Sequence, residues 1–160
     1  MCGMGGNTIV RILAEYPDRI PDLLVLQAND HVAQVRRWAF ESRFHLADEF
    51  LVPGDQGYVV TRFRRASCRS PQNATLSEVD DAYSGLDLEL GFEFGPHLIR
   101  RWEPDFVKRI TGEQAYWTNL PRLDKKSKHR LEMINRLLQD KALGPSTSDR
   151  SSTAGNPFAS

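Results

Sequence analysis

Apolar residues along this chain fall into segments of two periods, and the switch between them marks the elements. Ile9, Val10, Ile12 and Leu13 recur as one side of a helix, with Asn7 placed to cap it and Pro17 to end it. Leu23-Leu24-Val25-Leu26 is a continuous run, the pattern of a parallel strand buried on both faces, and Gln27-Ala28-Asn29-Asp30 is its polar exit. Helical spacing returns with Val32, Val35, Trp38 and Ala39 between His31 and Glu41. Phe44 to Val52 and Tyr58 to Arg65 then read as two strands around a turn at Pro53-Gly54-Asp55-Gln56-Gly57, an antiparallel hairpin.

The second half is plainer. Ala66 to Gly85 has the Ser, Asp and Asn content of a loop. Leu86-Asp87-Leu88-Glu89-Leu90 alternates and predicts a short strand or an extended connector. His97 to about Ile110 predicts a helix carrying Leu98, Trp102, Phe106 and Ile110, with a kink or restart at Pro104. Leu123 to Leu143 predicts another, with Leu131, Ile134, Leu137 and Leu138, so that the two form a helical hairpin. After Gly144-Pro145 the small polar composition predicts disorder. The division expected is therefore an α/β portion over 1–95, a helical hairpin over 96–143 and a disordered tail over 144–160.

Composition adds limits. At 160 residues, 40% hydrophobic and 26% charged, the chain is the size of one globular domain. Lys plus Arg and Asp plus Glu both total 21, so net charge names no partner. Its distribution does more: Ser70 to Ile99 holds no Lys or Arg, whereas Arg100 to Lys141 holds eleven basic residues against six acidic. A basic surface of that kind can bind a polyanion on a neutral molecule, and a solvated helical face carries the same charges. Cys2 and Cys68 have no metal-type spacing with His31, His45, His97 or His129, so neither a metal site nor a disulfide framework is expected. No apolar run reaches the length of a membrane span, and no signal peptide opens the sequence. A reducing compartment is expected, cytoplasmic or an organelle matrix.

Two places carry candidate chemistry. Gly3-Met4-Gly5-Gly6 runs directly into the first helix, where glycine permits close backbone approach and the helix start supplies free amides. A tight turn uses the same residues. Such a loop normally follows a strand, so the sequence reads as the second half of a ligand-binding α/β domain. Gln27 and Asn29 stand at the exit of a buried strand, where open α/β sheets bind ligands, and their amides suit the edge of a purine. Asn29 or Asp30 can equally cap the next helix. Arg62, Arg64, Arg65 and Arg69, and Lys125, Lys126, Lys128, His129 and Arg130, are candidate phosphate contacts. There is no Ser/His/Asp set and no carboxylate pair placed for acid–base work.

In order, Gly3-Met4-Gly5-Gly6 with Thr8 to Leu13, Leu24-Val25-Leu26-Gln27-Ala28-Asn29, Val35-Arg36-Arg37-Trp38 and Phe94-Gly95-Pro96 resemble the bacterial-type tRNA (adenine-N1)-methyltransferases that modify adenine-22. The likeness runs from Gly3 to Leu143. It departs at Ala28, where the family usually has proline, and in lacking the first three strands with the acidic, Gly-rich segment that holds most of S-adenosylmethionine. The resemblance implies an incomplete class I methyltransferase (Rossmann-like) sheet with an antiparallel C-terminal hairpin, followed by a helical hairpin. It implies methyl transfer from S-adenosylmethionine to adenine N1 in tRNA. Gly3, Met4, Gly5 and Gly6 would line the cofactor side and Gln27 and Asn29 the base. Arg62, Arg64, Lys125, Lys126, Lys128 and Arg130 would grip the RNA. An inactive, truncated RNA-binding relative is the alternative. A half-sheet also leaves an edge unpaired beside Gly3, which predicts self-association.

Overall fold

The computed structural model describes residues 4–52, 54, 57–66 and 80–142. Gly3, both cysteines, Arg69, the hairpin tip at 53 and 55–56, most of the Ser-rich loop and the C-terminal tail lie outside the described residues. The chain divides into two compact units, Met1–Glu113 and Gln114–Ser160.

In the first unit, helix α1 (Gly6–Glu15) leads through a 3-10 turn to strand β1 (Leu23–Ala28), helix α2 (Val32–Glu41) and the strands β2 (Phe44–Val52) and β3 (Tyr58–Arg65). The strands form one sheet in the order β1-β3-β2, antiparallel throughout. Pairing of Leu24 with Phe63, Leu26 with Thr61 and Ala28 with Val59 turns these residues to one side. There Leu24, Leu26, Ala28 and Phe63 join Ile9 and Leu13 of α1 and Val35, Ala39 and Phe40 of α2 in a single core. The opposite side of β1 does not fit the expectation. Leu23 and Val25 are about half exposed, so the strand alternates instead of being buried on both faces. Its apolar run reads as doubly covered, yet helices pack on one face only among the described residues. Its sole parallel neighbour there is an isolated bridge from Met4 to Ala28.

Leu86–Leu90 is not a strand. Asp87 accepts a hydrogen bond from the Leu90 amide at 3.1 Å and caps helix α3 (Leu88–Phe94). Leu90 and Phe94 then share a buried helical face. Gly95, at φ +92°, breaks the helix, and Pro96 opens helix α4 (Pro96–Arg101) at a position where its missing N–H costs nothing. Trp102 is left-handed at φ +50°, and Pro104 restarts the chain as helix α5 (Pro104–Thr118), the restart the proline predicts.

A buried ion pair holds the α3–α4 break in place. Arg36 donates through Nε to Glu49 at 2.9 Å and through Nη1 to the Phe92 carbonyl at 2.8 Å. Glu49 in turn accepts from the His97 amide at 3.0 Å. The cation therefore meets carbonyls at the end of α3 and the anion meets an amide at the start of α4, each at the helix end its charge favours. Both side chains are almost wholly buried. A Cβ on Gly95 would lie 2.4 Å from Glu49 Oε1, so only glycine fits between them. An irregularity in β2 between Leu46 and Asp48 shifts the strand's phase and turns Glu49 inward.

The outer edge of β2 is covered by side chains. Asp80 accepts from the Leu46 amide at 2.9 Å, the His97 ring meets the Leu46 carbonyl at 2.9 Å, and Arg101 donates to the Glu49 carbonyl at 2.6 Å. Helix α4, grouped by sequence with the helical hairpin, thus belongs to the sheet-bearing unit. In the second unit, helix α6 (Lys125–Ala142) buries Met133, Ile134 and Leu137, and Gln114 donates to Asn135 at 2.6 Å.

Candidate functional site

The exit of β1 meets the start of α1. The Met4 carbonyl accepts from the Asn29 amide at 3.0 Å, and the Gly6 amide donates to the Asp30 carbonyl at 3.0 Å and to Asp30 Oδ1 at 3.2 Å. With the Met4–Ala28 bridge, these bonds seat the glycine bend on the strand end. The reason for glycine here is contact and not backbone angle. A Cβ on Gly5 would lie 2.6 Å from Asp30 Oδ1, and one on Gly6 would lie 2.3 Å from the His31 carbonyl.

Asn7 does not cap the helix; Gly5 is the N-cap and Asn7 lies inside the first turn. Asp30 takes over the task from across the loop, since its oxygen accepts from the first helical amide. Nor do Asn29 or Asp30 cap α2, whose N-cap is His31 at φ +49° with no side-chain bond. His31 Nδ1 lies 2.9 Å from Asp30 Oδ1. That hydrogen bond, with a smaller contribution from the Gly6 amide, holds the exposed Asp30 carboxyl below the ordinary carboxylate range. Asp30, read from the sequence only as a strand exit or a cap of the next helix, and His31, read only as that helix's start, are the site residues the sequence reading did not name. Their signal was the invitation of a free helix start to an acid, which spacing along the chain does not reveal.

Met4, Gly5, Gly6, Gln27 and Asn29 are thus brought together. Gln27 Nε2 donates to Asn29 Oδ1 at 2.9 Å on the exposed side. The two amides form a unit in which the Asn29 oxygen already accepts one bond and its Nδ2 is a donor group.

The basic candidates stand elsewhere. Arg62 and Arg64 lie on the exposed face of β3, Arg62 at 3.9 Å from Asp48. Lys125, Lys126, Lys128 and Arg130 occupy the first turns of α6 in the second unit, with no acid in its first turn. Cations at a helix N-terminus oppose the helix dipole. Asp124 offsets them by accepting from the Ser127 amide at 2.7 Å, a bond that holds its carboxyl below the usual range. Among the described residues no group of His, Cys, Asp and Glu could hold a metal, and no helix is long and apolar enough to cross a membrane.

Residues 1–142 match a family model described as tRNA (adenine(22)-N(1))-methyltransferase, TrmK. A curated Bacillus subtilis protein of that name is 30% identical over 115 residues, covering 71% of this chain and 44% of its own length. The crystal structure of the B. subtilis M1A22 tRNA methyltransferase superposes with a TM-score of 0.62 at 26% identity, over 86% of this chain and 59% of that one. A Streptococcus pneumoniae protein solved in complex with S-adenosyl-L-methionine has the same fold, with a TM-score of 0.64 at 20% identity over 86% and 57% of the two chains. The chain spans about half the length of the relatives it matches.

Proposed function

Because the chain belongs to the tRNA (adenine(22)-N(1))-methyltransferase family, we propose that it works as the C-terminal part of an enzyme that methylates adenine N1 in tRNA. The observation that carries this is the seating of the Met4–Gly6 bend against Gln27 and Asn29 at one strand exit.

When bound, S-adenosylmethionine supplies an electrophilic methyl group. The residues here that would hold it are the backbone of Met4, Gly5 and Gly6, which Asp30 and His31 fix in place. Adenine N1 already presents a lone pair at neutral pH, so the reaction asks for no strong base near it. The site accordingly offers amides and glycines, while its Asp30–His31 pair is engaged in holding the bend. The work left to the protein is orientation of a base drawn out of its stack. Asn29 Nδ2 donates to a ring acceptor other than N1, leaving N1 open to attack, while Gln27 fixes the Asn29 amide. We assign contact with the tRNA backbone to the second unit, through Lys125, Lys126, Lys128 and Arg130, and to Arg62 and Arg64 on the sheet.

Asn29→Ala in the intact family enzyme tests the assignment. Turnover on a tRNA transcript is expected to fall roughly a hundredfold or more through lost positioning, with cofactor affinity unchanged by calorimetry. Unchanged turnover removes Asn29 from the mechanism.

A further inference from the structure

The second unit leaves a large ring in water: Tyr116, in the last turn of α5, is 60% exposed. Its neighbour Trp117 is half-buried and meets it edge to face, with ring centroids 4.9 Å apart at 69°. The Tyr116 ring is thus backed by a second ring while much of its own surface stays open. Leaving an aromatic ring in water forgoes the free energy that its burial would supply. A second cost falls on the same unit. Lys125, Lys126 and Lys128 are exposed at the start of α6, the helix end whose partial charge repels cations. Local rules broken without a structural gain mark functional surfaces.

The two features lie close together. The Gln114–Asn135 hydrogen bond sets the last turns of α5 beside the middle of α6, and the short link 119–124 folds α6 back along the end of α5. At about 1.5 Å per residue, Lys128 lies about 10 Å from Asn135 toward the start of α6. Tyr116 lies about 3 Å past Gln114 in the same direction. The ring and the nearest of these lysines are therefore about 7 Å apart along the helices, the reach of about one or two nucleotides.

We propose that Tyr116 is a stacking platform for an unpaired base of the tRNA, with Lys125, Lys126 and Lys128 holding the phosphates beside it. Cations alone suit any polyanion. An exposed aromatic face next to them suits a nucleobase, and only an unpaired one, since a paired base keeps its faces inside the stack. The second unit therefore selects a loop or bulge of the RNA and not its stems. This role rests on the tRNA contact proposed above and adds to it which part of the RNA is held.

The test uses the full chain and a fluorescent tRNA transcript, with the dissociation constant measured over a series of salt concentrations. Tyr116→Ala is expected to weaken binding about fivefold to a hundredfold. The salt slope should not change, because stacking releases no counterions. Tyr116→Phe should bind as the parent does and Tyr116→Leu as the alanine variant does. Phenylalanine and leucine both keep bulk beside Trp117, so their contrast holds even if alanine disturbs that contact. A fully paired RNA duplex should be held equally by the parent and Tyr116→Ala. Parental affinity in Tyr116→Ala or Tyr116→Leu, an equal loss on the duplex, or no binding of tRNA by the parent would each overturn the proposal. So would displacement of the RNA by phosphatidylglycerol vesicles that itself depends on Tyr116. Weakening by alanine at the three lysines, with Tyr116→Ala at parental affinity, refutes the stacking and leaves the tRNA contact standing. Tyr116-dependent binding of looped RNA with no preference for tRNA upholds the stacking and refutes tRNA as the substrate.

Discussion

Removing either partner of the Arg36–Glu49 pair should cost far more than a surface ion pair would. Arg36→Met leaves Glu49 as a buried carboxylate with one amide partner, and Glu49→Met leaves a buried guanidinium bonded to carbonyls at the end of α3. Each single change is expected to lose about 3–5 kcal/mol. Replacing both by methionine removes the stranded charge and leaves two neutral orphans, the His97 amide and the Phe92 carbonyl, at about 1–3 kcal/mol each. The double variant should therefore lose about 2–6 kcal/mol, against about 6–10 kcal/mol if the single costs simply added. Urea unfolding followed by tryptophan fluorescence measures this, provided the denaturant slope is shared by all four proteins. Single losses below about 1 kcal/mol, or full additivity, would show that the pair is solvated and does not clamp the helix break.

Gly6→Ala is expected to lower the melting temperature of the first unit by several degrees, because backbone at His31 blocks the added methyl; a melting curve superimposable on the parent would contradict the close packing. Burial, only partly opposed by the Leu46 and Ala82 amides and by His45 and His97, raises the Asp80 carboxyl above its usual value. The folded state thus holds this proton more tightly, and that contribution to stability is lost as pH climbs through the raised pKa. Asp80→Asn should remove this decline from the stability profile above pH 4, and a profile with the same slope in both proteins would refute it. Changing Lys125, Lys126 and Lys128 to alanine should flatten the log-log salt dependence of tRNA binding by about 2–3. An unaltered slope would take those lysines off the RNA.

Much of the α/β portion was legible because its signals are local. Pro17, Pro96 and Pro104 punctuate helices wherever they occur, and the hairpin declares itself by two strands about a Gly-containing turn. Leu88–Phe94 misled because Leu86, Leu88 and Leu90 alternate, while the deciding facts, the Asp87 cap and the Leu90–Phe94 face, extend past the alternating stretch. Glu49 was hidden by the irregularity in β2, which reverses the strand's inward and outward sides without changing composition. Arg36 and Gly95-Pro96 were visible as family motifs, but their physical reason, one carboxylate received between them, lies 13 residues from Arg36 and needs the tertiary structure. The glycines at the strand exit were read as permitting close backbone approach or a tight turn; that Asp30 and His31 are what approach them closely needs the tertiary structure.

The sheet's two margins are chemically unequal. Along β2 the outward backbone groups of Leu46 and Glu49 are already taken by Asp80, His97 and Arg101, so that rim cannot recruit another strand without breaking charged bonds. Along β1 the outer side carries, among the described residues, the single parallel bridge of Met4 to Ala28. Growth is consequently one-sided: a strand can join at β1 and not at β2, and two copies joined through β1 would each turn a guarded β2 outward. A crowded solution of this protein should stop at pairs, where a symmetric ribbon would run on into fibres.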